Sequence, residues 1–249
     1  MRNAIEKNQL FLVYQPQFDL KNKTILAAEA LLRWNHPEKG LIGPMAFIPL
    51  AEETGLIISI GDWVLKEACR QIRAWKDQGF SYVQVAVNVS TKQLKQADFA
   101  MRVQAILDEY EVPPEYLEIE ITENVIITHD EVLRMLEQLK AMRLKVSLDD
   151  FGTGNSGLSY LKQISIDRLK IDRSFVNNIS ISRSDEVIIE SIIAMAQSLN
   201  CKVLAEGVET QAQYDFLKHR NCDEVQGFLY SKPITPDEVA TYLQKPPKD

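Results

Sequence analysis

The sequence predicts an α/β fold built on a mostly parallel sheet of eight strands. Three observations carry this. Strand-like and helix-like runs alternate along all 249 residues, which is the pattern of successive βα units. The length matches one closed (β/α)8 barrel, ~250 residues, and nothing resembling a linker divides it, so 1–249 reads as a single domain. The first connection, Asp19-Leu20-Lys21-Asn22-Lys23, is too short for a crossover helix, so strand one is expected to run antiparallel to strand two.

The strands follow from alternation and β-branched content. Phe11–Gln17 and Ile25–Trp34 flank the short turn. Tyr82–Val89 puts Val83, Val85, Val87 and Val89 on one face and Gln84, Ala86 and Asn88 on the other. Tyr116–Thr122 opposes Leu117, Ile119 and Ile121 to Glu118 and Glu120. Leu144–Asp149, Arg168–Ile171, Lys202–Ala205 and Glu224–Gln226 complete the set. Between most of them lie helix candidates: Gly61–Gln78, Ala97–Tyr110, Asp130–Met142, Asp185–Leu199, Gln211–Arg220 and Pro236–Leu243. Trp63, Leu65 and Trp75 are read as packing residues, His36 as a loop residue, His129 and His219 as surface residues, and 245–249 as a frayed tail.

The net charge of −7 argues against a surface that coats nucleic-acid polymers. Cys69, Cys201 and Cys222 have no Cys-x-x-Cys spacing and fit reduced thiols. Residues 1–10 lack a signal-peptide apolar core, and no apolar run is long enough to span a bilayer. A cytoplasmic protein, or a cytoplasmic module of something larger, without membrane contact, is the expectation.

The polar residues are more telling than the apolar ones. Val146-Ser147-Leu148-Asp149-Asp150-Phe151-Gly152-Thr153-Gly154 is an alternating strand that ends in two adjacent carboxylates and a glycine-rich loop. Adjacent carboxylates repel and call for a cation, although a solvated Asp-Asp turn explains the motif taken alone. Neighbouring strands repeat the ending. Glu29, Asn88, Glu120, Asp149, Lys170, Glu206 and Gln226 each stand at or near a strand's C-terminal end, which in a closed barrel is the mouth where active sites form. Glu29, Asn88, Glu120, Asp149, Asp150 and Glu206 are all oxygen donors, and no His or Cys joins them. That chemistry favours Mg2+ or Mn2+, with Ca2+ a larger competitor. The five carboxylates carry five negative charges, which two divalent ions and Lys170 would neutralise. Two metals bridged by Asp149 suit hydrolysis of a phosphodiester by a metal-activated water.

These motifs resemble the EAL-domain family over nearly the whole chain: Tyr14-Gln15-Pro16, Glu29-Ala30-Leu31-Leu32-Arg33-Trp34, Asn88-Val89-Ser90 and Glu120-Ile121-Thr122-Glu123. They continue through the Asp149-Asp150 run, Leu169-Lys170-Ile171-Asp172, Ala205-Glu206-Gly207-Val208-Glu209-Thr210 and Gln226-Gly227. The resemblance implies a modified (β/α)8 TIM-type barrel with an antiparallel first strand. It also implies hydrolysis of cyclic di-GMP to linear 5′-phosphoguanylyl-guanosine with Mg2+ or Mn2+. By resemblance, Glu29, Asn88, Glu120 and Asp149 hold one metal, and Asp149, Asp150 and Glu206 the second. Lys170 orients the water, with Glu206 either ligand or general base. Arg33, Gln226 and Gln15 contact the nucleotide, and Glu123 and Glu209 support the site. A homodimer, and regulation by a sensory domain, are implied in the same way.

The chain departs from the family after Gly154, where Asn155, Ser156 and Gly157 replace an aromatic residue and two serines. This leaves a catalytically silent nucleotide receptor as an alternative, with a sugar-phosphate barrel enzyme further off. Residue by residue, Lys170 can also be read as a surface lysine, Arg33 as a stacked structural arginine, Glu118 as structural or solvated, and Glu123 and Glu209 as helix-start carboxylates.

Overall fold

Asp19 folds the chain back on itself. Its Oδ1 accepts hydrogen bonds from the backbone N–H groups of Lys21 (2.8 Å) and Asn22 (2.6 Å), an Asx turn that needs no further residues. Strands β1 (Leu10–Asp19) and β2 (Ile25–His36) therefore pair antiparallel, from Leu10↔Trp34 to Phe18↔Ile25. The computed structural model of the chain describes residues 4–81, 83–123, 130–153 and 165–244. Asn155 to Gly157, His129 and 245–249 lie outside the described residues.

The other strands are β3 (Gly40–Ile42), β4 (Gln84–Asn88), β5 (Leu117–Thr122), β6 (Lys145–Phe151), β7 (Arg168–Ile171), β8 (Lys202–Ala205) and β9 (Glu224–Val225). The sheet order is β1-β9-β8-β7-β6-β5-β4-β2-β3, and β1 also pairs with β2. That pairing closes eight strands into a barrel and leaves β3 outside, as a hairpin partner of β2. β1 is antiparallel to both neighbours, and every other pair in the ring is parallel. The modified (β/α)8 architecture is thus the one the sequence implied.

The outer faces of the strands carry the apolar core. Val85, Val87, Leu117, Ile119, Val146, Leu148, Leu169, Ile171 and Val203 are buried against the helices. The helix Leu56–Asp77 presents Ile57, Ile60, Val64, Leu65, Ala68, Ile72 and Trp75 at spacings of three and four. Trp75 meets Tyr14 edge-to-face, with ring centroids 5.2 Å apart. Each such large side chain contributes about 1.5–3 kcal/mol by leaving water.

Several elements differ from the sequence reading. That helix begins at Leu56, not Gly61, because Gly55 at φ 76° supplies the left-handed junction to a preceding helix, Ile48–Thr54. Gly61 sits inside the helix, where a Cβ would lie 1.9 Å from Gln93 Nε2. The glycine permits close packing on the Ser90–Gln93 capping box rather than marking a boundary. Short helices at Thr91–Leu94 and Arg173–Val176, and β3, are too brief to give a periodic signal. His36 is the last residue of β2, not a loop residue.

At the barrel's upper rim, Gly227 lies against the backbone of Val208, with an added Cβ placed 2.2 Å from Val208 O. Val208 N–H donates to Gln226 O at 3.1 Å, so this contact also fixes the end of β9. Gly227→Ala is expected to lower stability by about 1–3 kcal/mol through forced backbone displacement, measured as a shift in urea midpoint. An unchanged midpoint would contradict the close packing.

Candidate functional site

Strand register puts one face of every barrel strand into the lumen. Laterally paired residues share a face, and the pairs Gln15↔Glu29, Asn88↔Glu120, Glu120↔Ser147, Thr122↔Asp149 and Lys170↔Leu204 trace that face around the ring. A barrel of this kind ordinarily fills its interior with bulky aliphatic side chains. This lumen is mostly polar. Gln15, Gln17, Glu29, Glu118, Glu120, Ser147, Arg168, Lys170, Glu224 and Gln226 are all buried.

Lys170 stands at the centre and is fully buried. Its Nζ lies 2.7 Å from Glu206 Oε1, 3.0 Å from Glu120 Oε2, 3.3 Å from Asp149 Oδ1 and 3.8 Å from Glu29 Oε2. Asn88 Nδ2 donates to Glu29 Oε1 at 2.8 Å and to Glu120 Oε2 at 3.3 Å. Gln226 Nε2 donates to Glu29 Oε2 at 2.6 Å. Side chains from β2, β4, β5, β6, β7, the end of β8 and the end of β9 therefore meet in one place.

Asp149 and Asp150 need a special backbone to point together, because successive residues in a strand face opposite ways. The β6–β7 register shifts between Leu148 and Phe151. Asp150 adopts a left-handed φ of 54°. This bulge turns the second carboxylate toward the first, so single oxygens of Asp149, Asp150 and Glu206 lie within 4.8 Å of one another. The strained turn is held from both sides. Asp150 N–H donates to Asp149 Oδ1 (2.9 Å), and Gly152 N–H donates to the buried Glu123 Oε2 (3.1 Å).

The electrostatics follow from burial and crowding. Desolvation, with neighbouring carboxylates against Lys170, raises Glu120 well above the usual range and pushes Glu206 up to about 8. Asp150 rises to about 6, through burial and then the charge on Asp149. Burial favours protonated Glu29 as well, but Lys170 and the hydrogen bonds from Gln226 and Asn88 outweigh it and hold its pKa down. Burial acts to lower Lys170, yet Asp149, Glu120, Glu206 and Glu29 together keep it charged far above the ordinary lysine range. Five carboxylates thus face one ammonium, a deficit of positive charge. Glu120 Oε1 is buried without a hydrogen-bond partner among the described residues. An all-oxygen donor set with an unpartnered buried carboxylate oxygen fits a hard divalent cation.

The family model for the EAL domain matches residues 1–233. The chain belongs to the EAL domain family. This EAL domain is 45% identical over 240 residues to the bifunctional diguanylate cyclase/cyclic di-GMP phosphodiesterase MucR of Pseudomonas aeruginosa, covering 96% of this chain and 35% of that protein. It is 43% identical to the cyclic di-GMP phosphodiesterase NbdA of the same organism, covering 98% of this chain and 31% of that one. The chain spans about a third of the length of these curated relatives. Among solved structures, the PaMucR phosphodiesterase in complex with c-di-GMP superposes with a TM-score of 0.92 at 45% identity, covering 96% of this chain and 97% of that one.

Other residues singled out in the sequence sit at the edge of this cluster or in the lumen wall. Arg33 is half-buried, with Nη1 donating to Leu32 O at 2.8 Å; burial lowers its pKa against the pull of Glu29. Gln15 is buried, accepts from Gln226 Nε2 (3.1 Å) and donates to Ser231 O (3.2 Å). Glu209 is exposed just before the helix Gln211–His219. Glu118 is not solvated. It is buried on Arg168, with Nη1 to Oε2 at 2.6 Å, and Arg168 Nη2 also meets Glu224 Oε2 at 2.9 Å.

Sequence reasoning passed over Arg168, Gln17 and Glu224, though a signal was present. Each stands two residues from a polar lumen residue on its own strand (Lys170, Gln15 and Gln226), hence on the same face.

Excess negative charge among these carboxylates predicts stabilisation by divalent cations. Mn2+ at about 100 times its dissociation constant should add about 2.7 kcal/mol, seen as a rise in Tm that EDTA reverses. A Tm indifferent to both additions would contradict the charge deficit.

Proposed function

We propose that this chain is a metal-dependent phosphodiesterase module, residues 1–249 acting as one domain, that hydrolyses cyclic di-GMP to linear 5′-phosphoguanylyl-guanosine. The observation that carries the reading is the gathering of four carboxylates around one buried lysine at the barrel mouth, with Asp150 beside Asp149 and Glu206. Relatives named as cyclic di-GMP phosphodiesterases support the choice of substrate.

The site suits two ions, Mg2+ or Mn2+, with Ca2+ as an inhibitory competitor. Glu29, Asn88, Glu120 and Asp149 would hold one, and Asp149, Asp150 and Glu206 the other. Asn88 turns its Nδ2 to Glu29 and Glu120, so its Oδ1 remains as donor to a cation. When bound, the ions supply Lewis acidity toward the phosphate and acidify a water.

The remaining work falls to the chain's own groups. Lys170 Nζ orients the attacking water and offsets charge that builds on the phosphate oxygens. Glu206, 2.7 Å from that ammonium, either completes the second ligand set or takes the water's proton. The water oxygen bonds to phosphorus in line with the departing 3′ oxygen. The P–O3′ bond breaks, and the released 3′ oxygen takes up a proton to become a hydroxyl. Arg33 receives a phosphate or guanine, while Gln15 and Gln226 contact the nucleotide from the lumen wall beside Glu29. Glu123 braces the turn after Asp150 through Gly152 N–H, and Glu209 supports the rim.

The module works in the cytoplasm as a homodimer under a sensory domain. Its small share of its relatives' length supports the last point, and the oxygen sensor protein DosP of Escherichia coli is one such relative. It contacts neither nucleic-acid polymers nor membranes. Among the described residues no helix is long and apolar enough to cross a bilayer.

Incubation with cyclic di-GMP and Mn2+, followed by chromatography, should yield the linear dinucleotide; intact substrate at high enzyme concentration rejects the reading, and calorimetric binding without turnover would point to a receptor instead. Glu29→Ala is expected to abolish turnover with the far-UV circular dichroism unchanged. Lys170→Ala should slow hydrolysis by ~100-fold or more while Mn2+ binding persists, and a near-normal rate would remove Lys170 from the mechanism.

A further inference from the structure

A line of buried hydrogen bonds crosses the lumen from the barrel floor to Glu29. At the floor, Arg168 is clamped between Glu118 and Glu224. Its Nη1 also donates to Gln17 Oε1 at 3.1 Å. Gln17 Nε2 donates to Gln226 Oε1 at 2.9 Å. Gln226 Nε2 donates to Glu29 Oε2 at 2.6 Å and to Gln15 Oε1 at 3.1 Å. Gln17 is fully enclosed, and Gln226 and Arg168 are buried.

The sense of this line is fixed at both ends, by a guanidinium that only donates and a carboxylate that only accepts. A primary amide can turn over, exchanging its donor and acceptor ends, and nothing in the amide itself decides which way it points. A guanidinium only donates. Arg168 therefore obliges Gln17 to offer it oxygen, which turns the Gln17 nitrogen toward Gln226. Gln226 must meet that nitrogen with oxygen, which turns its own nitrogen toward Glu29. The floor arginine thus demands the same amide sense that Glu29 does, and holds the Gln226 nitrogen on Glu29 Oε2. Glu29 Oε1 receives another, from Asn88. With one amide hydrogen bond on each oxygen the carboxylate plane is set.

We infer that Arg168 and Gln17 are positioning residues for Glu29, acting from the floor of the barrel through the Gln226 amide to set Glu29 for divalent-cation binding. The inference rests on the reading of Glu29 as a cation ligand. Groups that orient metal-binding side chains typically change metal affinity by 10–100-fold when altered, and the line predicts which alteration does most. Gln17→Glu replaces an amide with an acceptor. The new carboxylate then competes with Glu29 for the Gln226 nitrogen, since both only accept. Gln17→Met removes the constraint without adding that competition.

The test is calorimetric titration of Mn2+ into the whole chain without nucleotide, a readout independent of catalysis. Gln17→Glu should weaken Mn2+ binding at least ~10-fold, and Gln17→Met by less. In a Gln226→Met background, Gln17→Met should have no further effect, since the link through which it acts is gone. Urea midpoints identify folded variants, and if Gln17→Glu does not fold, the Gln17→Met and Gln226→Met cycle decides. Unchanged affinity in the folded Gln17 variants, or losses that simply add in the double variant, would overturn the inference alone. No Mn2+ binding by the unaltered chain would overturn it together with the ligand assignment of Glu29.

Discussion

The ammonium of Lys170 is the group around which everything at the mouth is arranged. An isolated charge in a barrel interior is expensive. Here the surrounding carboxylates of Glu29, Glu120, Asp149 and Glu206 keep it ionised. The balance overshoots, because with Asp150 there are five acids against one base. Burial first, and then this crowding, drive two of them, Glu120 and Glu206, toward their neutral forms. Such an acidic cluster carries a standing attraction for cations.

The fold tolerates this because it separates two jobs. Apolar burial lies between the outer strand faces and the helices, where Trp75, Leu65, Phe99 and their neighbours are shielded from water. The lumen is released from that task and carries polar groups in layers: Arg168 with Glu118, Glu224 and Gln17 below, and Lys170 with its carboxylates above. Each lower residue is two positions from a polar lumen partner on its strand, so the same alternation that builds one layer builds the other. Closure by the antiparallel β1 brings Gln15 and Gln17 beside β9 and β2, which links the layers through Gln226.

Much of this was legible in the residues. Alternation placed Glu29, Asn88, Glu120, Asp149 and Lys170 on lumen faces, and the short connection after Asp19 foretold the antiparallel strand. What was not legible has physical causes. The adjacent pair named Asp150 with Asp149, but the bulge and left-handed backbone angle that turn both carboxylates together leave no periodic trace. Gly61 read as a helix boundary because its role is to make room for Gln93, a contact remote in sequence. Glu118 could not be told from a solvated residue until the register put Arg168 against it. Helices of four residues, such as Thr91–Leu94, are set by a capping box and tertiary contact, not by a hydrophobic period.

The most direct measurement of the central claim is anomalous diffraction from crystals of the chain grown with Mn2+. The account predicts manganese at the barrel mouth with oxygens of Glu29, Glu120 and Asp149 at about 2.1 Å, near the range for an octahedral hard cation, and Lys170 still among the carboxylates. Manganese bound elsewhere, or none with Lys170 and its four carboxylates otherwise in place, would contradict it.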